Sequence, residues 1–164
     1  MIAAVVLAAG ASTRYGRPKQ AELLPAVLRR LAQARGVDLT VVVEGAHRLP
    51  ELAGAEIVRA ADWETGPGAS LRAGLAALPD GATHALVVLA DGPTLDPRAV
   101  ERLLEHRDDG EVLAATYDGT RSHPVLLARA TWGDIPDEGG RALDPRLVDC
   151  SDLEPPGDVD YPST

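Results

Sequence analysis

Phenylalanine is absent from this chain of 164 residues, aromatics make up only 3%, and there is one methionine, one cysteine and one lysine. Each shortage excludes something. Without Phe, the core must be built from Val, Leu, Ile and Ala, which a hydrophobic content of 45% allows. A lone Cys150 excludes a disulfide framework and a cysteine zinc site. No apolar run reaches the ~20 residues that cross a bilayer. The longest, at 2–11, lacks the basic segment that opens a signal peptide, so a cytoplasmic protein is expected. Positive charge is also scarce. Sixteen Lys and Arg face 25 Asp and Glu, for a net charge of −9. That argues against nucleic acid or an anionic membrane as partner, since both require a basic face. It leaves room for a small anionic ligand held by local cations. Arg14, Arg17 and Lys19, the single lysine, form such a group.

What is present reads as alternating strands and helices. "IAAVVLAA" (2–9), "LTVVVEG" (39–45) and "HALVVLAD" (84–91) are short, continuous, β-branched runs, the pattern of strands buried on both faces. Leucine spacing predicts helices over 21–34, 70–78 and 97–107, the last with Pro97 at its start. Strands alternating with helices imply a parallel sheet covered on both sides. Past residue 110, "EVLAATYDG" and "HPVLLAR" lie close enough to form a hairpin, so the sheet is expected to be mixed. "RLVDCSD" predicts a last short strand. No repeat and no long linker divides the chain. The expected fold is a single-domain, Rossmann-like three-layer α/β/α architecture over 1–164, with a mixed, mainly parallel sheet.

Ligands in such sheets bind at the carboxyl ends of the strands, so the loops beginning at Gly10, Gly45 and Asp91 matter most. The first, "LAAGASTRYGRPK", is neither a dinucleotide-binding G-x-G-x-x-G nor a Walker A loop. Its physical content still suits phosphate. Gly10 permits a tight turn and close backbone approach. Free N–H groups after it face an anion well, and Arg14 and Lys19 supply charge.

The pattern Leu7-Ala8-Ala9-Gly10-x-Ser12-x-Arg14-x-Gly16-x-Pro18-Lys19 resembles the signature of the MobA/MocA-like nucleotidyltransferases. Further stretches are similar to that family's segments in the same order: "WETGPGASLRAGL" (63–75), "VVLADGPTL" (87–95), "SHPVLL" (122–127), "PDEGGRAL" (136–143) and "DVDYP" (158–162). The resemblance implies a nucleotide-diphospho-sugar transferase type of fold and transfer of a nucleoside monophosphate from an NTP to a phosphate-bearing acceptor. It implies Arg14, Lys19 and Asp91 as catalytic residues. Leu7, Ala8, Ala9, Gly10, Ser12, Arg14, Lys19, Ser70 and Gly74 would bind nucleotide. Asp91 and Asp160 would hold Mg2+, with Asp158 as a weaker substitute. His123, Pro124, Asp137, Gly139 and Arg141 would lie on the acceptor side. Read by itself, Ser70 is also a helix N-cap candidate. Lysine presents a compact, rotatable point charge where arginine presents a rigid fork, a reason for one Lys in an Arg-built chain.

"LAAG" is similar to the cytidine-using branch, because the Ala9 methyl crowds a purine that "LAGG" admits. CTP is therefore the expected donor and molybdopterin the implied acceptor, with a transient contact to a molybdoenzyme or its chaperone. GTP, a sugar phosphate acceptor, or a non-catalytic nucleotide-binding role are the alternatives. The chain departs from the pattern in several places. The stretch after Lys19 is short, Tyr15 replaces Met, Gly92 replaces Gln, and Ser122 replaces Gly. The sequence stops after the closing motif, so a last helix is expected to be missing.

Overall fold

The structure, a computed structural model, describes residues 1–10 and 19–157, with the side chains of Lys19 and Gln20 excepted. Seven strands form one sheet: β1 (Ile2–Ala8), β2 (Leu39–Glu44), β3 (Glu56–Arg59), β4 (His84–Leu89), β5 (Val112–Tyr117), β6 (Thr120–Ala128) and β7 (Arg146–Asp149). Their order is β3-β2-β1-β4-β6-β5-β7. All pairings are parallel except those of β6, which runs antiparallel to β4 and β5. This is the expected mixed, mainly parallel sheet.

Two apolar clusters sandwich the sheet. On one face, Leu24, Val27 and Leu31 of α1 (Lys19–Gln33) and Val100, Leu103 and Leu104 of α3 (Pro97–Glu105) pack on Ala4, Val6, Leu86 and Val88. On the other, Leu71 and Leu75 of α2 (Pro67–Ala76) pack on Val5, Val41, Val43 and Leu127. Alternate residues of β1 and β4 thus serve opposite faces, as a strand's two-residue period requires. Each fully buried Leu or Val contributes about 1.5–3 kcal/mol relative to exposure, which is how the fold dispenses with Phe. Tyr117 is the buried aromatic of the sheet.

Helix boundaries differ from the sequence reading in two informative ways. α1 begins at Lys19 itself, so no separate segment lies between this residue and the helix. α2 begins at Pro67 and its N-cap is Gly66. Ser70 is therefore inside the helix and buried, not a cap. β3 was not expected. It has four residues at the sheet edge, charged at both ends. Asp96 caps α3 by accepting from the Arg98 N–H at 2.9 Å.

No helix among the described residues is long and apolar enough to cross a membrane.

Candidate active site

The strand order runs outward from β1 to β2 and β3 on one side, and from β4 to β6 on the other. The carboxyl ends of β1 and β4 therefore mark the topological switch point where open α/β sheets bind ligands. Leu7 and Leu89 are direct partners there. The Ala90 N–H carries the pairing past the strand end by donating to the Leu7 carbonyl at 3.0 Å. Two cavities meet over this pair and share Leu7, Leu89 and Pro67.

The first cavity, of about 350 Å3, is lined by the ends of β1 and β4 and the first turn of α2. Ala9, Gly10, Trp63, Ser70 and Asp91 contribute to it. Behind Ala9 lies Gly45, where an added Cβ would come within 2.8 Å of the Ala9 Cβ and 2.7 Å of the Trp63 Cβ. Three chain segments thus close on one another with no room for a side chain at 45. Ala8 points instead into the α1–α3 cluster. Gly74 does not line the cavity. An added Cβ there would meet Val5 at 2.6 Å and Val43 at 2.9 Å, so the glycine lets α2 lie directly on β1 and β2.

Asp91 follows β4 by two residues and is half-buried at the cavity wall. Among the described residues no group of three His, Cys, Asp or Glu gathers as a metal cage. A strand-end carboxylate is nevertheless a ligand type that suits a hard divalent ion such as Mg2+, which takes one or two carboxylates plus substrate phosphates. Ser12, Arg14, Asp158 and Asp160 lie outside the described residues. Only the backbone of Lys19 is described, as the first residue of α1.

The second cavity, of about 520 Å3, has an aliphatic floor and a polar rim. Leu7, Leu71, Val87, Leu89, Val125 and Leu127 form the floor; Arg121, His123, Glu138 and Arg141 stand around it. His123 is buried, and its Nδ1 accepts a long bond, 3.4 Å, from the Leu89 N–H. Nε2 and Cε1 form another edge of the ring. That edge of the ring lies on Gly92, where an added Cβ would come within 2.8 Å of Nε2 and Cε1. The glycine after Asp91 is thus what lets the imidazole reach the strand end. Tyr117 donates to the His123 carbonyl at 3.0 Å, and burial pushes its phenol pKa up. Pro124, next along β6, is buried. Asp137 is exposed and ion-paired to Arg72 at 2.9 Å. Gly139 is buried with φ +81°, against Pro67 and Gly68.

Comparison with known proteins shows the family and the fold. The sequence matches the MobA-like NTP transferase domain over residues 4–144. The chain belongs to that family. Its structure is similar to that of Rv0371c from Mycobacterium tuberculosis H37Rv, with 28% identity, a TM-score of 0.81, and coverage of 98% of this chain and 94% of that one. Rv0371c in complex with manganese is also similar, at 27% identity and a TM-score of 0.71, covering 90% and 88%. A nucleotidyl transferase from Methanothermobacter, Mth528, aligns at 26% identity and a TM-score of 0.68, covering 85% and 78%. No curated protein matches the sequence.

Within this MobA-like domain, the structure adds site residues that sequence reading passed over. Trp63 opens a quoted motif, yet only the fold brings it beside Ala9. Leu89 reads as one more apolar strand residue but is 38% exposed, at the junction of the cavities. Arg121 and Arg72 sit among ordinary surface arginines in the sequence. Their partners are 19 to 65 residues away in the numbering, as in Arg121 to Gly140 and Arg72 to Asp137, and no local pattern announces them. The arrangement as a whole sets Gly10 and the Asp91 carboxylate on one cavity, with an apolar cavity rimmed by charged and polar side chains directly beside it.

Proposed function

We propose that this MobA-like nucleotidyltransferase transfers CMP from CTP to molybdopterin, in its molybdenum form, with release of pyrophosphate. The observation that carries the reading is the pair of cavities meeting over Leu7 and Leu89 beside Asp91. Nucleotidyl transfer needs two phosphate-bearing molecules side by side, with little covalent work for the protein beyond positioning and charge stabilisation. The aliphatic floor of the larger cavity suits the flat face of a pterin better than a sugar, whose hydroxyls would lose water without gaining partners. Arg141, at the rim, suits the acceptor phosphate.

The proposed division of labour follows from the residues. The smaller cavity takes the nucleoside, with the Ala9 methyl and Trp63 as a wall too close for a purine and Ser70 as a polar contact. Gly10 lets the backbone approach the triphosphate, and Arg14 and Lys19 offset its charge. Asp91, with Asp160, holds a divalent ion; manganese in the complex of the similar Rv0371c supports such an ion. A divalent ion such as Mg2+, held there, would supply positive charge to offset the charge that grows on the phosphates during transfer. An acceptor phosphate oxygen attacks the α-phosphorus in line, the bond to the bridging oxygen breaks, and pyrophosphate leaves with that electron pair. His123, Pro124, Gly139 and Arg141 shape the acceptor side. Delivery to a molybdoenzyme or its chaperone would follow by transient contact.

The test is to incubate the protein with Mg2+, molybdopterin and each labelled NTP in turn, and to follow pyrophosphate. CTP-dependent release that disappears in Asp91→Ala is expected. No release with any NTP, or release from Asp91→Ala at the wild-type rate, refutes the reading.

A further inference from the structure

The wall of the acceptor cavity that carries Glu138, Gly140 and Arg141 belongs to no long helix or strand. Two arginines, one on β6 and one on α2, bond to this segment. From β6, the Arg121 guanidinium donates to the carbonyls of Gly140 at 2.7 Å and Leu143 at 3.0 Å. From α2, the Arg72 guanidinium donates to the Ile135 carbonyl at 2.8 Å and to Asp137 Oδ1 at 2.9 Å. Between them, the Gly68 N–H donates to the Asp137 carbonyl at 2.9 Å.

We propose that Arg72 and Arg121 are positioning residues that clamp residues 135–143 against the nucleotide-binding helix α2 and so set the acceptor at attack distance. The inference rests on the nucleotidyltransfer reading above. It gives Asp137 a strut's role rather than an acceptor contact. The ion pair with Arg72 is exposed, and such pairs contribute little by themselves. The stronger elements are the charge-assisted bonds to carbonyls. Arg121 gives both terminal nitrogens to backbone carbonyls; Arg141, also on the cavity lining, is the arginine proposed for the acceptor. α2 carries Ser70 to the smaller cavity and Arg72 to the wall, so the clamp seats the acceptor wall on a helix that the rest of the fold already holds in place.

The experiment uses the full chain and the variants Arg72→Ala, Arg121→Ala and Asp137→Asn, with Arg121→Gln in place of Arg121→Ala should the latter not fold. Amide hydrogen exchange of the free proteins is read over 135–143. Both arginine variants are expected to exchange there at least about tenfold faster, and Asp137→Asn near the wild-type rate. With Mg2+, CTP and molybdopterin, both arginine variants should raise the KM for molybdopterin roughly 10- to 100-fold, with the KM for CTP within about twofold. Unchanged exchange in both arginine variants overturns the clamp. Equal losses toward both substrates overturn it too, as does Asp137→Asn proving the most damaging to acceptor KM, which would mark Asp137 as a contact. A wild-type chain that releases no pyrophosphate refutes the proposed function alone, and the exchange result then decides the clamp.

Discussion

Leu7 and Leu89 stand side by side at the carboxyl ends of β1 and β4, and each lines both cavities. An apolar pair thus divides the two cavities that the proposed transfer assigns to nucleotide and acceptor. At 38% exposure, Leu89 contributes little to the core, so Leu89→Gln should change stability by no more than about 0.5 kcal/mol. It should, however, put an amide under the acceptor and raise acceptor KM roughly tenfold, as loss of about 1.4 kcal/mol of apolar contact predicts. Steady-state kinetics against thermal unfolding checks this; a variant with normal acceptor KM would remove Leu89 from the site.

Ala9 is 7% exposed and closes the smaller cavity in front of Gly45. Ala9→Gly removes one methyl from that wall. Discrimination by one such group amounts to about 1–3 kcal/mol, so the ratio of kcat/KM for GTP over CTP should rise about tenfold or more. Side-by-side kinetics with both triphosphates reads the ratio directly. An unchanged ratio means that the purine is excluded elsewhere.

Much of this arrangement is legible in the sequence, for identifiable reasons. β1, β2 and β4 are buried on both faces, so their β-branched runs stand out against any background. β3 does not, because "EIVR" at 56–59 is an edge strand with both ends exposed. The sequence pattern starts this helix at residue 70 and the structure at Pro67, because Pro67-Gly68 looks like a loop although Pro is at home in a first helical turn. Asp91 is legible as a strand-end carboxylate, and His123 stands out only through the family resemblance of "SHPVLL". The contact of the His123 ring with Gly92, and the arginines that hold the acceptor wall, join residues distant in sequence. Such contacts exist only after the sheet has formed.

Gly68 gives a sharp steric test of that wall. In an ordinary helix position Gly→Ala gains about 0.5–1 kcal/mol. Here an added Cβ would fall 1.7 Å from the Pro136 carbonyl oxygen, which is backbone and has no rotamer to escape into. Gly68→Ala should therefore destabilise by about 1–3 kcal/mol, a Tm fall of about 2–12 °C for a chain of this size. Calorimetry measures it; a raised Tm would show that residues 135–139 move away from α2 at no cost.

Far from the site, Arg102 grips both carboxylate oxygens of Asp152, at 2.6 and 2.9 Å. That side-chain hydrogen bond, more than any other cause, holds the Asp152 pKa at about 2 rather than the ordinary 3.8. A carboxyl with a depressed folded pKa stabilises the protein above its ordinary pKa, and the contribution fades as pH falls through the folded value. The Tm of the wild type should thus exceed that of Asp152→Asn above about pH 4, and the gap should close between about pH 4 and pH 2. Asp152 is exposed, so the gap is small and should narrow further in about 1 M salt, where the screening length falls to ~3 Å. Thermal unfolding of both proteins across that pH range supplies the comparison. A gap that stays constant down to about pH 2 would mean that the Arg102–Asp152 pair does not govern the acid limb.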